Sequence, residues 1–175
     1  MFVRLLLEIP AFFGIVLRFG LICAVMGVIN FCIGESMPRK NFDYHAFPYR
    51  TFSWEKGGMI YQKLRIQKWK DRVPDMSRYM PKTFRKKLTI MRSPDFLEGL
   101  IAETCVAEMV HWVLTLLSPI FLILMPRVWN WISMVLYVLV GNLPFIIIQR
   151  YNRPRLVMIL ERQLALERQK ARAEG

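Results

Sequence analysis

The chain is short of the residues that most soluble enzymes use for chemistry. Its 175 residues include only three cysteines and two histidines. Three is an odd number, and Cys23 and Cys32 lie inside one apolar run, so a disulfide scaffold is excluded. There is no Cys pair at zinc spacing, no H-E-x-x-H, no G-x-S-x-G and no glycine-rich phosphate loop. Neither His45 nor His111 is followed by Asp five positions on, so an H-x4-D site is also missing. Acidic residues are scarce as well: 13 Asp plus Glu stand against 25 Lys plus Arg, a net charge of +12. Apolar residues are not scarce. They make up 54% of the chain, and the mean hydropathy is +0.28. That content excludes disorder. Its concentration in long blocks argues against a basic nucleic-acid module. A small multi-pass membrane protein with a basic face remains.

Three blocks carry the apolar residues: Ala11 to Ile33, Cys105 to Met125 and Val128 to Ile148. The first holds one charge, Arg18; the second is interrupted by Glu108 and His111; the third has no charge. A spanning helix needs about 20 such residues, so each block is long enough. The first exceeds the roughly 7–15 residues of a signal-peptide core and is followed by no A-x-A-like site, so it reads as a retained anchor.

Segment 34–100 carries 15 Lys or Arg, and the tail from Arg150 carries seven. The turn between the second and third blocks has only Arg127. Three spans put both basic segments on one side, and the positive-inside rule makes that side cytoplasmic, with the N-terminus outside. The expected fold is therefore an all-α membrane protein of about three transmembrane helices. It divides, as one membrane domain over 1–175, into a first span (1–33), a cytoplasmic interfacial segment (34–100), an antiparallel helical hairpin (101–150) and a charged cytoplasmic tail helix (151–175). The expected location is the cell membrane.

Segment 34–100 is rich in aromatics, among them Phe47, Tyr49, Phe52, Trp54, Tyr61 and Trp69. Aromatics favour the headgroup zone, and Lys and Arg favour anionic lipid surfaces, so the segment is expected to lie on the leaflet. A helix is expected from Glu55 to Trp69. Ser93-Pro94-Asp95 reads as a helix start, with Ser able to cap and Pro suited to the first helical position.

Candidate chemistry gathers where the second helix enters the lipid. At about 100° per residue, with Glu103 at zero, His111 falls near 80° and Glu108 near 140°. Ionisable groups at that depth cost several kcal/mol unless paired or wetted, so this face is a functional candidate. A structural reading stands beside it, in which the same groups glue helices together. A metal reading fails: Glu-x-x-His is half of a di-iron site, and the only other histidine, His45, has no matching Glu. No metal and no resident cofactor are expected. The exit of the third helix carries Asn142, Pro144, Gln149, Arg150, Tyr151, Asn152, Arg153 and Arg155. Arg suits bidentate phosphate contacts, so these residues are candidate substrate contacts.

The runs Glu103-Thr…Ala107-Glu108…His111-Trp112 and Asn142-x-Pro144…Gln149-Arg150-Tyr151-Asn152-Arg153-Pro154-Arg155-Leu156 resemble the glycosyl-4,4′-diaponeurosporenoate acyltransferases of staphyloxanthin-type carotenoid biosynthesis. Met37-Pro38…Phe42 and the Lys68-Trp69-Lys70-Asp71 run add to the resemblance, which extends over nearly the whole chain. It implies transfer of a fatty acyl group from an activated donor, with acyl-CoA expected, to a sugar hydroxyl of a glycosylated carotenoid or related glycolipid. Lys68, Trp69, Lys70 and Asp71 then join the expected substrate contacts.

The residues fit O-acyl transfer. A sugar hydroxyl needs a base, and His is the usual one. The expected catalytic set is His111 as base, Glu108 orienting it, and Glu103 on the same face. Cys105 is the alternative, as a covalent acyl carrier. Expected partners are membrane lipids, the acyl donor, the glycolipid acceptor and other carotenoid-pathway enzymes, and no nucleic acid. A non-enzymatic membrane adaptor and a lipid- or carotenoid-handling protein stay open.

Overall fold

The computed structural model describes residues 2–73 and 93–174. Every regular element among them is helical. The expected all-α membrane fold is thus observed, with three helices long and apolar enough to cross a bilayer: Phe12–Ser36, Pro94–Leu124 and Trp129–Ala173. The last runs for 45 residues, more than twice the roughly 20 that a bilayer core requires, so part of it extends past the lipid. The chain folds as two compact units, Met1–Met37 with Met109–Ile146, and Pro38–Glu108 with Ile147–Gly175.

The first unit is the apolar one. Helix α1 (Phe2–Ser36) overruns the first apolar block at both ends. It lies against the later helices through Phe19 on Phe121, Phe12 on Trp129 and the Arg18 guanidinium on the Leu124 carbonyl. Its opposite face exposes Phe13, Leu17, Leu21 and Val28. An apolar surface of that extent is expected only where lipid covers it.

The second apolar block is not one helix, as its composition suggests. Helix α2 (Pro94–Leu117) ends before Ser118-Pro119, and a short helix, α3 (Ile120–Leu124), follows. Pro119 has no N–H for the carbonyl one turn back, and the Ser118 N–H tightens onto the Thr115 carbonyl instead. Arg127, at φ 45°, then turns the chain. The next helix, α4 (Trp129–Leu136), passes into a π-helical stretch, Tyr137–Asn142. Phe121 packs on Tyr137, and the pairing is antiparallel, as the short turn requires.

The second unit is built around charge. Ser93 caps α2: its Oγ accepts from the Phe96 N–H at 3.3 Å. The last helix, α5 (Leu143–Glu174), runs through Pro154 without a break, so the tail expected as a separate helix from 151 is continuous with the span. Leu97 and Ile101 of α2 pack on Leu160 of α5, with Tyr44, Leu156 and Leu164 around them. A second cluster joins Tyr61 and Ile66 to Tyr151.

The helix expected over Glu55–Trp69 is replaced by 3₁₀ turns at Ser53–Glu55 and Met59–Leu64 and a four-residue helix at Ile66–Trp69. The reason is local. Lys56, Gly57, Gly58 and Arg65 all take positive φ, which ends an α-helix wherever it occurs. Gly58 is also required by space. A Cβ there would lie 3.3 Å from the Tyr151 carbonyl oxygen and 3.4 Å from that of Arg150. The remainder of the interfacial segment, 74–92, lies outside the described residues.

Candidate active site

Two polar clusters occupy the two units. In the second unit, Glu108 is fully buried, and both of its carboxylate oxygens accept from guanidiniums: Oε1 from Arg150 Nη1 and Oε2 from Arg153 Nη2, each at 2.6 Å. Arg150 and Arg153, three residues apart on α5, share one side of that helix. Thr104 lies one turn before Glu108 on α2, and it accepts from Arg153 through Oγ1 at 2.8 Å and through its carbonyl at 2.9 Å.

The loop from Pro48 to Glu55 closes over the two arginines. Arg150 holds Glu55 with a planar fork and also donates to the carbonyls of Pro48 and Arg50. All five of its N–H donors are engaged. Arg153, only 2% exposed, donates to the Tyr49 carbonyl at 2.7 Å. Rings complete the shell: Phe52 lies under Arg150, and Tyr49 under Arg153. The charges balance, two carboxylates against two guanidiniums, which is how such groups tolerate burial.

Glu55 also accepts from the Tyr61 hydroxyl and from the Phe52 N–H. Burial opposes its ionisation, but hydrogen bonds from Arg150, Tyr61 and the Phe52 N–H outweigh this and hold the carboxyl below its ordinary range. The Tyr61 phenol moves the other way. Burial, and then its bond to the Glu55 carboxylate, push it up.

In the first unit, His111 Nδ1 lies 3.0 Å from Asn142 Oδ1, and the imidazole stacks on Phe145 with centroids 4.4 Å apart. Asn142 is fully buried, and its amide nitrogen donates to the Tyr137 carbonyl at 3.0 Å. Tyr137 begins the π-helical stretch that Asn142 ends. The longer π ring leaves carbonyls off the usual ladder, and π-bulges are frequent at functional positions. Because the amide nitrogen is engaged by Tyr137, the amide oxygen is what faces the imidazole. Nδ1 must therefore carry a proton, and in the neutral imidazole the lone pair is on Nε2.

These contacts place the residues singled out from sequence. The group on His111 Nδ1 is the Asn142 amide, where a carboxylate from Glu108 was expected; both oxygens of Glu108 hold arginines. Glu103 pairs with Arg39, Nε to Oε1 at 2.7 Å, and that pair is part exposed. Asn142 is buried on the imidazole, so it does not line an open groove. Arg150 and Arg153, expected to take phosphate, already have protein acceptors. Arg155 lies over the Tyr151 ring and donates to the Tyr151 carbonyl. Tyr151 itself is buried, and its hydroxyl accepts from Gln67. Gln149 and Asn152 are half-buried on α5. Lys68 is exposed, Trp69 donates to the Leu64 carbonyl, and Lys70 stands over Tyr151. The Asp71 side chain lies outside the described residues.

Glu55, Tyr61, Thr104 and Tyr49 were not legible as site residues. One signal was available. Glu55 is the only acid between residues 44 and 70, in a run of Lys and Arg, and it directly precedes Lys56-Gly57-Gly58.

Residues 45–162 match the family profile described as glycosyl-4,4'-diaponeurosporenoate acyltransferase. A protein of that name from Staphylococcus aureus (strain MRSA252) is 33% identical over 129 residues, 73% of this chain and 77% of its own length. Proteins of the same name from strains USA300 and NCTC 8325 / PS 47 are 32% identical over the same share. No solved structure matches the chain.

Proposed function

Because the chain belongs to the glycosyl-4,4'-diaponeurosporenoate acyltransferase family, we propose that it moves a fatty acyl group from acyl-CoA to a sugar hydroxyl of a glycosylated carotenoid acid. The observation that carries the chemistry is the Tyr137–Asn142–His111 chain of hydrogen bonds. It fixes the imidazole with a proton on Nδ1, which leaves Nε2 as the basic nitrogen of the neutral ring.

The steps balance. The sugar hydroxyl attacks the thioester carbonyl carbon and gives its proton to Nε2. The tetrahedral intermediate collapses with cleavage of the C–S bond, and the leaving thiolate takes the proton back from the imidazolium. Asn142 does here for a neutral base what the acid does in a Ser-His-Asp triad: it holds the tautomer and the ring plane. An acyl-cysteine step has little support, since Cys105 is fully buried. In this reading the charged cluster around Glu108 is scaffolding that holds the loop to α2 and α5.

The basic side faces the cytosol, where acyl-CoA is made, in keeping with 15 Lys or Arg in 34–100 against one at the 126–127 turn. The test is lipid analysis of cells producing the chain or its His111→Gln variant alongside a glycosylated carotenoid. The intact chain should yield the acyl ester. A glutamine cannot take the proton, and a general base contributes about 10²–10⁴-fold, so the variant should yield little. Ester formation at a near-normal rate by a membrane-inserted His111→Gln protein refutes the mechanism.

A further inference from the structure

The loop that closes over Arg150 carries a row of aromatic rings on its outside. Phe47 lies 6.4 Å from Phe52, and Phe52 lies 6.1 Å from Trp54 with the two ring planes 10° apart. The inner ring, Phe52, has two guanidiniums over it, Arg150 at 4.8 Å and Arg50 at 5.8 Å from its centroid. The outer two are open: Phe47 is 75% exposed and Trp54 57%. An isolated apolar side chain at a surface needs no explanation, but a rigid row with its outer members bare does.

Charge says what covers it. Residues 47–70 hold six basic side chains, Arg50, Lys56, Lys63, Arg65, Lys68 and Lys70, and a single acid, Glu55. Glu55 is 1% exposed and neutralised by Arg150. The surface charge of this stretch is therefore wholly positive. Arg50, between Phe47 and Phe52, and Lys56, two residues after Trp54, are both exposed. The row also follows closely in sequence on α1, a membrane-spanning helix that ends at Ser36. A water-facing loop in a membrane protein has use for basic residues alone. The nearest exposed acid before the row is Asp43, which accepts from the His45 N–H. A row of Phe and Trp among cations, with no exposed acid from 47 to 70, matches the boundary between headgroups and acyl chains in an anionic leaflet.

We propose that the Phe47–Phe52–Trp54 row docks onto anionic phospholipid, with Phe47 and Trp54 entering the headgroup zone and Arg50 and Lys56 on the phosphates. Arg150 gives the row its rigidity, because the same guanidinium that supports Phe52 also holds Glu55, the Pro48 carbonyl and the Arg50 carbonyl. The docking does not depend on the acyl-transfer reading, so its test uses no activity.

The experiment uses the full chain with Cys23, Cys32 and Cys105 replaced by Ser or Ala and a nitroxide on Trp54→Cys. It is reconstituted in phosphatidylcholine alone and in phosphatidylcholine with phosphatidylglycerol. Collision with oxygen and with a water-soluble nickel chelate reports depth. In the anionic bilayer, position 54 should become protected from nickel and open to oxygen, while a label on Glu167→Cys in the exposed tail should not change. Protection should fall with added salt, which needs no further mutation and so is independent of folding. Each cation near an anionic surface strengthens binding about fivefold, so Arg50→Gln with Lys56→Gln should weaken docking about 25-fold. Equal nickel access in the two bilayers overturns the proposal. So does protection that is the same in phosphatidylcholine alone, which would mean apolar packing without recognition of anionic lipid.

Discussion

Arg150 holds Glu55 through two parallel bonds, Nε to Oε1 at 2.6 Å and Nη2 to Oε2 at 2.8 Å, across 95 positions of sequence. The fork joins a loop to a helix, and the third arm of the same guanidinium reaches Glu108 on another helix. One side chain thus ties three pieces of the second unit together. Such a tie is costly to break from one side, because the abandoned charge stays buried. The expected cost of removing one partner is about 3–5 kcal/mol. Glu108→Ala leaves Arg153 without a carboxylate and takes one of two from Arg150, so it should be the most damaging, ahead of Glu55→Ala. Unfolding followed in detergent checks the order. A Glu108→Ala protein as stable as the unmutated one would show that the cluster is not a tie.

The same pair sets an acid limit. The carboxyl of Glu55 is held below its ordinary range in the folded state, so the unfolded state binds the proton more readily. Its stabilising contribution is complete above the unfolded carboxyl pKa of about 4.3 and is lost as pH falls through the lower folded value. Unfolding at pH 7, 5 and 3 should show a loss confined to the most acidic sample. Tyr61→Phe removes one bond that favours the carboxylate. It should cost about 1 kcal/mol at pH 7 and move the acid limb to higher pH. An unmoved acid limb would mean that Glu55 does not control it.

Much of this architecture is legible in the residue order, for reasons of scale. Bilayer thickness fixes span length, so three apolar blocks give three helical segments long enough to cross without tertiary information, though not where Pro119 and the π-helical stretch interrupt them. Ser93-Pro94 marks a helix start because capping is local. The site was less accessible. Glu103, Glu108 and His111 share a broad helical face by angle alone, but angle does not choose partners. Asn142 was visible as a polar group in an apolar block, yet its hold on His111 depends on a π-helical stretch that no spacing rule announces. Arg150 and Arg153 were read as phosphate ligands because Arg suits phosphate. Carboxylates suit it as well, and Glu55 reaches Arg150 only because Lys56, Gly57 and Gly58 fold the loop back in left-handed conformations.

Asn142 offers a sharper test of the base than His111 itself. Asn142→Ala leaves the imidazole in place without its tautomer lock, and turnover should fall by up to about 10²-fold, a part of what a general base contributes. Asn142→Asp keeps an acceptor for Nδ1 and should retain more turnover than Asn142→Ala at matched folded protein. If Asn142→Ala turns over at the normal rate, the amide is packing and the orientation of His111 is set elsewhere.

Topology can be read by labelling. Lys63 and Arg127 are exposed and belong to the two loop regions with contrasting charge. With the native cysteines replaced, Lys63→Cys should react with impermeant maleimide only after cells are opened, and Arg127→Cys should react in intact cells. Labelling of position 63 in intact cells contradicts a cytoplasmic basic segment.

The protein partners of the two arginines bear on where an acyl donor binds. A guanidinium that takes donor phosphates needs unpaired N–H groups facing solvent. Arg150 has none, and Arg153 is 2% exposed with donors on Thr104, Tyr49 and Glu108. Their substitution should therefore act through folding. Arg150→Ala and Arg153→Ala should lower the folded yield and the unfolding midpoint, and the KM for acyl-CoA of whatever protein remains folded should be unchanged. Arg153→Lys is the discriminating variant. Lysine keeps the charge for Glu108 but has no planar fork for the two oxygens of Thr104. If position 153 bound phosphate, the lysine of the Arg153→Lys variant would still attract the donor, and the KM would rise only slightly with stability intact. In the arrangement seen here the order is reversed: stability falls because Thr104 loses its donors, and KM stays constant across salt concentrations. Initial rates against acyl-CoA in detergent at low and high salt, beside an unfolding curve for each variant, separate the two. A KM that rises with salt in the unmutated protein and no longer does so in Arg153→Ala would return Arg153 to the donor site.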